Sequence, residues 1–230
     1  LDKKFNHDID VVVDRIVVRG DLAARLADSL ETCLRLADGL AVADDADIVG
    51  GPIVVGHSMG GFVTIATAAR YGDRLAGAVI LDSPVRRPNP EEEEGARGKA
   101  FRNPKLYPDL ETALDHYRLV PEQPHSNLFL LDHVARHSLH AVPGGVTWKF
   151  DPEVFRRVAP RAIHEVLPEV RCRVALFRAE FGLLTPDIGD YMYELLDRNA
   201  PVIEIPNAHH HLMLDQPLAL AQHLGVRVLG

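Results

Sequence analysis

The sequence predicts an α/β fold: a doubly wound, mostly parallel sheet with helices on both faces and a helical cap insertion. Three observations predict it. The β-branched runs Pro52-Ile53-Val54-Val55 and residues 76–81 are too short for helices and alternate with segments of helical periodicity. A strand, a helix and a second strand in succession make a βαβ unit, whose strands run parallel and whose sheet is covered on both faces. Between residues 84 and 167 the strand signals vanish, and Pro, His and charged residues become frequent among short helical patterns.

In chain order, residues 9–13 and 16–18 read as one interrupted strand ending at Arg19-Gly20. A helix over 21–42 follows, with Asp21 as its N-cap and Leu22, Leu26, Leu30, Leu34, Leu36 and Leu40 repeating along it. After the strand at 52–55, residues 62–71 form a helix of small residues, and the strand at 76–81 ends in Asp82-Ser83-Pro84. Helical patterns recur at 110–119 and 128–139. Strands return at 174–177 and 202–205, separated by a helix near 187–198, and the last helix spans 217–224. The core is thereby assigned to 1–83 and 168–230, and the cap, or lid, to 84–167.

Composition narrows the function classes. With 230 residues, 47% of them hydrophobic, the chain can bury a sizeable core. A net charge of −8 with dispersed acidic residues gives no electrostatic basis for nucleic acid or an anionic membrane as partner. The one dense run, Glu91 to Glu94, reads as a solvated helix start. Cys33 and Cys172 are isolated, without metal spacing or a disulfide framework, and are read as core thiols of a cytoplasmic protein. Leu1-Asp2-Lys3-Lys4-Phe5 opens no secretory signal, and no apolar run is long enough to span a bilayer.

Chemistry concentrates at Gly56-His57-Ser58-Met59-Gly60-Gly61, set between a strand and a helix. A serine hydroxyl is a weak nucleophile and needs a base in hydrogen-bond reach and donors for the oxyanion that forms. A sharp strand-to-helix turn presents Ser58, Gly56 and Gly60 leave the turn room, and Met59 offers a backbone N–H to the oxyanion. Chance yields on the order of 0.03 such Gly-x-Ser-x-Gly pentapeptides in a chain of this composition, so the pattern is informative.

This stretch resembles the nucleophile elbow of the α/β-hydrolase family, and the resemblance extends from about residue 10 over nearly the whole chain. Arg19-Gly20 and Ser29-Leu30-Glu31 resemble the turn and helix start that precede the elbow in many members. Pro206-Asn207-Ala208-His209-His210-His211, followed by Leu214-Asp215-Gln216-Pro217, resembles the family's late histidine loop. Laying the family's Pro-Gly-Ala-Gly-His run on it places the catalytic histidine at His210, with His209 the alternative. The usual acid position falls at Gly182, within Ala179-Glu180-Phe181-Gly182. A second family position, at the end of the strand after the elbow helix, holds Asp82, which ranks first ahead of Asp187 and Glu180. The family also places about three strands and a second oxyanion donor, often His-Gly, ahead of the elbow strand. The 57 residues before Ser58 are too few for that complement.

Other residues have structural readings. Asp215 would cap the final helix, with Pro217 in its first turn. His57 would be a packing or hydrogen-bonding neighbour, and Trp148-Lys149-Phe150 would line a substrate pocket or anchor the cap. A metal site in the three histidines is disfavoured because adjacent ligands point to different sides of the chain. The resemblance implies a serine hydrolase cleaving a small-molecule ester through Ser58, His210 and Asp82, without metal or organic cofactor. A ligand-binding protein on the same scaffold is the competing reading, and the family also holds acyltransferases, lactonases and cofactor-free haloperoxidases.

Overall fold

The structure, a computed structural model, describes residues 51–88, 105–124, 127–150 and 162–228. The chain divides into two units, Leu1–Asp47 and Ile48–Gly230, and all described residues lie in the second. The strand expected at 9–18, the helix at 21–42, Cys33 and the Glu91 to Glu94 run lie outside them.

Among the described residues, four parallel strands form a sheet in the order β1 (Ile53–His57), β2 (Gly77–Leu81), β5 (Val174–Phe181), β6 (Val202–His209). β2 is buried along its whole length, as a central strand covered on both faces should be. Side chains alternate between two faces, and the core divides accordingly. Ala78, Ile80 and Leu176 pack on one side with Ile65 and Ala68 of α1 (Met59–Tyr71), Val166 of α4 (Ile163–Val166) and Met192 of α5 (Pro186–Leu195). On the other side Val79, Leu81, Phe177 and Ile205 pack with Leu212 of α6 (Leu212–Asp215) and Leu220 of α7 (Pro217–Val228). Helices therefore cover both faces, as expected.

The segment from 84 to 167 is helical only in part. Besides α2 (Leu110–Asp115) and α3 (Leu128–His137), it holds an antiparallel hairpin of β3 (Leu139–Val142) and β4 (Gly145–Trp148). Pro143-Gly144-Gly145 makes its turn, with φ of 91° at Gly144 and 154° at Gly145, values that favour glycine. Tyr107 extends the hairpin by bridging Val146, and with Ala113, Leu139 and Trp148 it builds a small separate core. The helical reading passed over this turn signal because each strand is only four residues long.

The register aligns the strand ends along one edge of the sheet. His57 pairs with Leu81 and Leu81 with Phe177, so β1 and β2 reach their carboxyl ends together, level with Phe177 of β5, which runs on to Phe181. The Ser58 N–H donates to the Leu81 carbonyl at 3.1 Å and the Asp82 N–H to the Phe177 carbonyl at 2.7 Å. The ladder thus fixes Ser58 and Asp82 side by side, one residue beyond the strands.

Leu176 has no exposed surface, whereas Leu218 is 84% exposed. Leu176→Ala is expected to cost about 2–5 kcal/mol through lost burial and a residual cavity. Leu218→Ala should stay within about 0.5 kcal/mol. Urea titrations of the two variants check this contrast.

Candidate active site

Ser58 is the single residue between β1 and α1, and its backbone takes φ 55° and ψ −121°. A non-glycine residue held there costs roughly 1–3 kcal/mol and persists only where its surroundings enforce it. Two glycines do so. A Cβ at Gly56 would stand 2.2 Å from the Gly60 carbonyl oxygen and 2.3 Å from Thr64 Oγ1. A Cβ at Gly61 would stand 1.9 Å from Oγ and 2.5 Å from Cβ of the buried Ser83. Gly60, expected to share this role with Gly56, has nothing within 4 Å of its Cβ position among the described residues. The tight pair is therefore Gly56 and Gly61. Met59 opens α1 immediately after Ser58, where an N-terminal amide lies closest to the serine.

His210 joins Ser58 to Asp82. The Ser58 hydroxyl donates to His210 Nε2 at 2.9 Å, and His210 Nδ1 donates to Asp82 Oδ2 at 2.8 Å. Asp82 has no exposed surface and His210 only 2%. Beyond the imidazole, the carboxylate accepts backbone N–H bonds from Ala179 at 3.2 Å, Leu183 at 2.8 Å and Leu184 at 3.2 Å. Burial by itself would raise the carboxyl's pKa. The bond from His210 and the three amide bonds outweigh it and hold Asp82 below the ordinary carboxylate range.

The glycine at the family's usual acid position has a physical cause here. A Cβ at Gly182 would lie 2.3 Å from Asp82 Oδ1 and 2.5 Å from Oδ2. Asp82 occupies the space that a side chain at 182 would need. The other two acid candidates stand elsewhere. Asp187 is exposed at the start of α5 and accepts the Thr185 hydroxyl at 2.6 Å. Glu180, also exposed, accepts the Asn207 N–H at 2.7 Å.

The departures in the histidine loop are likewise accommodated. Asn207 stands where the family has glycine and takes φ 54°, a left-handed conformation that asparagine tolerates. His209 turns away from His210: its N–H and Nδ1 both bond Asp215 Oδ2, at 2.8 and 3.0 Å. Asp215 therefore braces the loop. Gln123, which the sequence did not single out, completes the brace. It is 6% exposed, donates to Asp215 Oδ2 at 3.2 Å and accepts the His211 N–H at 2.7 Å.

Two further imidazoles crowd His210. His57 Nε2 donates to the His210 carbonyl at 2.8 Å, the neighbour role expected of it, and the ring centroids are 4.6 Å apart. The His211 ring lies 4.9 Å from that of His210 and 5.4 Å from that of His57. Burial lowers the His57 pKa, while burial and then the charges of His210 and His57 push His211 down to about 4. His211 is therefore uncharged at neutral pH. One ring nitrogen from each of His57, His210 and His211 lies within 4.8 Å of the other two. The expectation that adjacent histidines project apart holds for His209 but not for His210 and His211. His211 also walls a cleft of about 770 Å³, lined by Tyr107, Tyr117, Leu119, Trp148 and Phe150. Trp148 both lines this cleft and packs edge-on against Tyr107, at 5.9 Å between centroids. Cys172 is half-buried against the core, and burial raises its thiol pKa.

The sequence matches the α/β hydrolase family over residues 3–223, and the chain belongs to that family. Among solved structures it is similar to E-2-(acetamidomethylene)succinate hydrolase, with 19% identity, 90% of this chain and 72% of that one covered, and a TM-score of 0.66. An esterase from Mycobacterium tuberculosis gives 19% identity, 89% and 66% coverage and a TM-score of 0.62. The thioesterase domain from the curacin biosynthetic pathway gives 18%, 86%, 71% and 0.59. At these identities the likeness establishes the fold. Among curated proteins, UvrABC system protein A of Brucella abortus is 67% identical over 85 residues, 37% of this chain and 8% of that protein. Its counterpart in Agrobacterium fabrum is 81% identical over 47 residues, 20% and 5% of the two chains. The chain thus carries two likenesses, a long one of low identity to solved hydrolase structures and a short one of 67–81% identity to a few per cent of a much longer protein. No helix among the described residues is long and apolar enough to cross a membrane.

The elbow geometry separates two neighbouring glycines. Gly61→Ala should lower the melting temperature by several degrees, because Ser83 is buried and cannot yield, whereas Gly60→Ala should leave it unchanged within about 1 °C. Calorimetry on the two variants tests this.

Asp82 sets a pH dependence. Its folded pKa lies below the unfolded value of about 3.9, so its contribution to stability is full above that value and is lost as pH falls through the folded pKa. The stability gap between wild type and Asp82→Asn should therefore be largest near neutrality and shrink below about pH 4. Denaturant titrations across that range measure it.

Proposed function

We propose that this chain is a serine hydrolase that cleaves a small-molecule ester, or a related acyl bond, through a covalent acyl-enzyme. The observation that carries the reading is the hydrogen-bonded chain from Ser58 Oγ through the imidazole of His210 to a fully buried carboxylate. Asp82 accepts from Nδ1, so the proton of neutral His210 resides there and Nε2 is left as the base. Ser58 Oγ attacks the carbonyl carbon while its proton passes to Nε2, and the C=O π electrons move to oxygen. The Met59 N–H, at the start of α1, donates to that oxyanion. Collapse expels the alcohol, which takes the proton from Nε2. Water then attacks the acyl group by the same route, releasing the acid and restoring Ser58.

Two features support turnover over a binding-only role. Gly182, which leaves the family's usual acid position without a carboxylate, is the residue whose absent side chain admits Asp82. The aromatic cleft beside His211 is of a size for a small organic substrate. On this reading residues 84–167 act as a lid over the site.

A fluorophosphonate probe should label wild type and not Ser58→Ala, and nitrophenyl esters of graded acyl length should be hydrolysed by untreated wild type but neither by Ser58→Ala nor by wild type already labelled. His210→Ala and Asp82→Asn should each lower turnover by roughly 10³-fold or more, and His209→Ala far less. Gly182→Ala, which displaces the Asp82 carboxylate, should mimic Asp82→Asn. Labelling that survives in Ser58→Ala, or a folded Asp82→Asn enzyme with normal turnover, overturns the assignment.

A further inference from the structure

Two of the three imidazoles at the site have one nitrogen committed to an oxygen that can only accept. His210 Nδ1 is held by the Asp82 carboxylate and His57 Nε2 by the His210 carbonyl. The tautomers of these two rings are thereby fixed. Each carries its hydrogen on the committed nitrogen and presents a lone pair on the other, Nδ1 of His57 and Nε2 of His210. The third ring, His211, has a buried Nε2 with no hydrogen-bond partner among the described residues. A backbone carbonyl or carboxylate behind an imidazole is the arrangement that orients histidines as metal ligands and raises their basicity.

We propose that His57, His210 and His211 form a binding site for a borderline divalent cation such as Zn²⁺ or Cu²⁺, and that the cation inhibits the enzyme. Nitrogen ligands of this kind suit those ions over Mg²⁺ or Ca²⁺, which take oxygen. One nitrogen from each ring already lies within 4.8 Å of the others, so the rings need to close by roughly 1 Å to reach Zn–N distances of about 2.0–2.1 Å. Three protein ligands leave a fourth position to water. The inhibition follows from the identity of one ligand. The lone pair that His210 lends to the cation is the one that accepts the Ser58 proton, so a bound ion and an activated serine exclude each other. This consequence, though not the binding itself, rests on the function proposed above.

Two measurements keep the binding and the inhibition apart. Isothermal titration of the full chain with ZnCl₂ should show one site, weakened roughly tenfold or more in His57→Asn and in His211→Asn. The double variant His133→Ala/His137→Ala removes an exposed histidine pair on α3, with ring centroids 4.1 Å apart, and should keep the affinity. In parallel, nitrophenyl ester hydrolysis should fall with added zinc and recover with a chelator. The inhibitory concentration, scaled to each variant's own zinc-free rate, should rise with the same two replacements. Zinc binding that survives both His57→Asn and His211→Asn, or that disappears with the α3 pair, overturns the site. A chain that binds zinc through His57 and His211 but neither reacts with fluorophosphonate nor hydrolyses esters supports the site and overturns the functional reading instead.

Discussion

A carboxylate without exposed surface sits at the end of β2, and its two oxygens collect three backbone amides and one imidazole. The amides come from the end of β5 and the turn after it, and the imidazole from the loop after β6, so Asp82 ties three consecutive strand ends of the sheet to one point. Removing a hydrogen-bond partner from a buried charged group typically costs about 1–3 kcal/mol or more, because the charge left behind stays buried with that bond unmade. The site and the sheet edge are accordingly one construction: the bonds that orient His210 also close the open end of the β2/β5/β6 layer.

The histidine loop is built on a similar economy of partners. Asn207, His209 and His211 flank His210, and each is held by a polar contact of its own: Asn207 by Glu180, His209 by Asp215, His211 by Gln123. His57, beside the nucleophile, secures the His210 backbone as well. His210 therefore approaches Ser58 from a segment pinned on both sides, although the loop lacks two of the glycines that the family places there.

How much was legible in the sequence depends on the range of the contacts involved. The elbow is largely a local object: Gly56 and Ser58 are constrained by a strand and a helix within a dozen residues, so the pentapeptide and its flanks announce it. Parallel β1 and β2 put Asp82 next to Ser58, and that adjacency comes from the βαβ pattern alone. The hairpin at 139–148 escaped because four-residue strands carry too little alternation to register. Gln123 escaped for another reason. Its partners His211 and Asp215 lie 88 and 92 positions away, and nothing local distinguishes a glutamine that will be buried from one that will not. The roles of Gly60 and Gly61 were exchanged because the motif shows that small residues are present, not which of them faces the buried Ser83.

The overlap between Gly182 and Asp82 bears on how such sites diverge. Neighbouring strands ending on one edge can each deliver an acid to the same histidine, so the position of the acid is free to wander between lineages. Here the two positions are mutually exclusive in space, since a side chain on residue 182 would sit within 2.3 Å of the Asp82 carboxylate. A form with side chains at both positions would have to move the Asp82 carboxylate, and with it the partner of His210 Nδ1, to seat them. With Asp82 in place, residue 182 is held to glycine by volume alone.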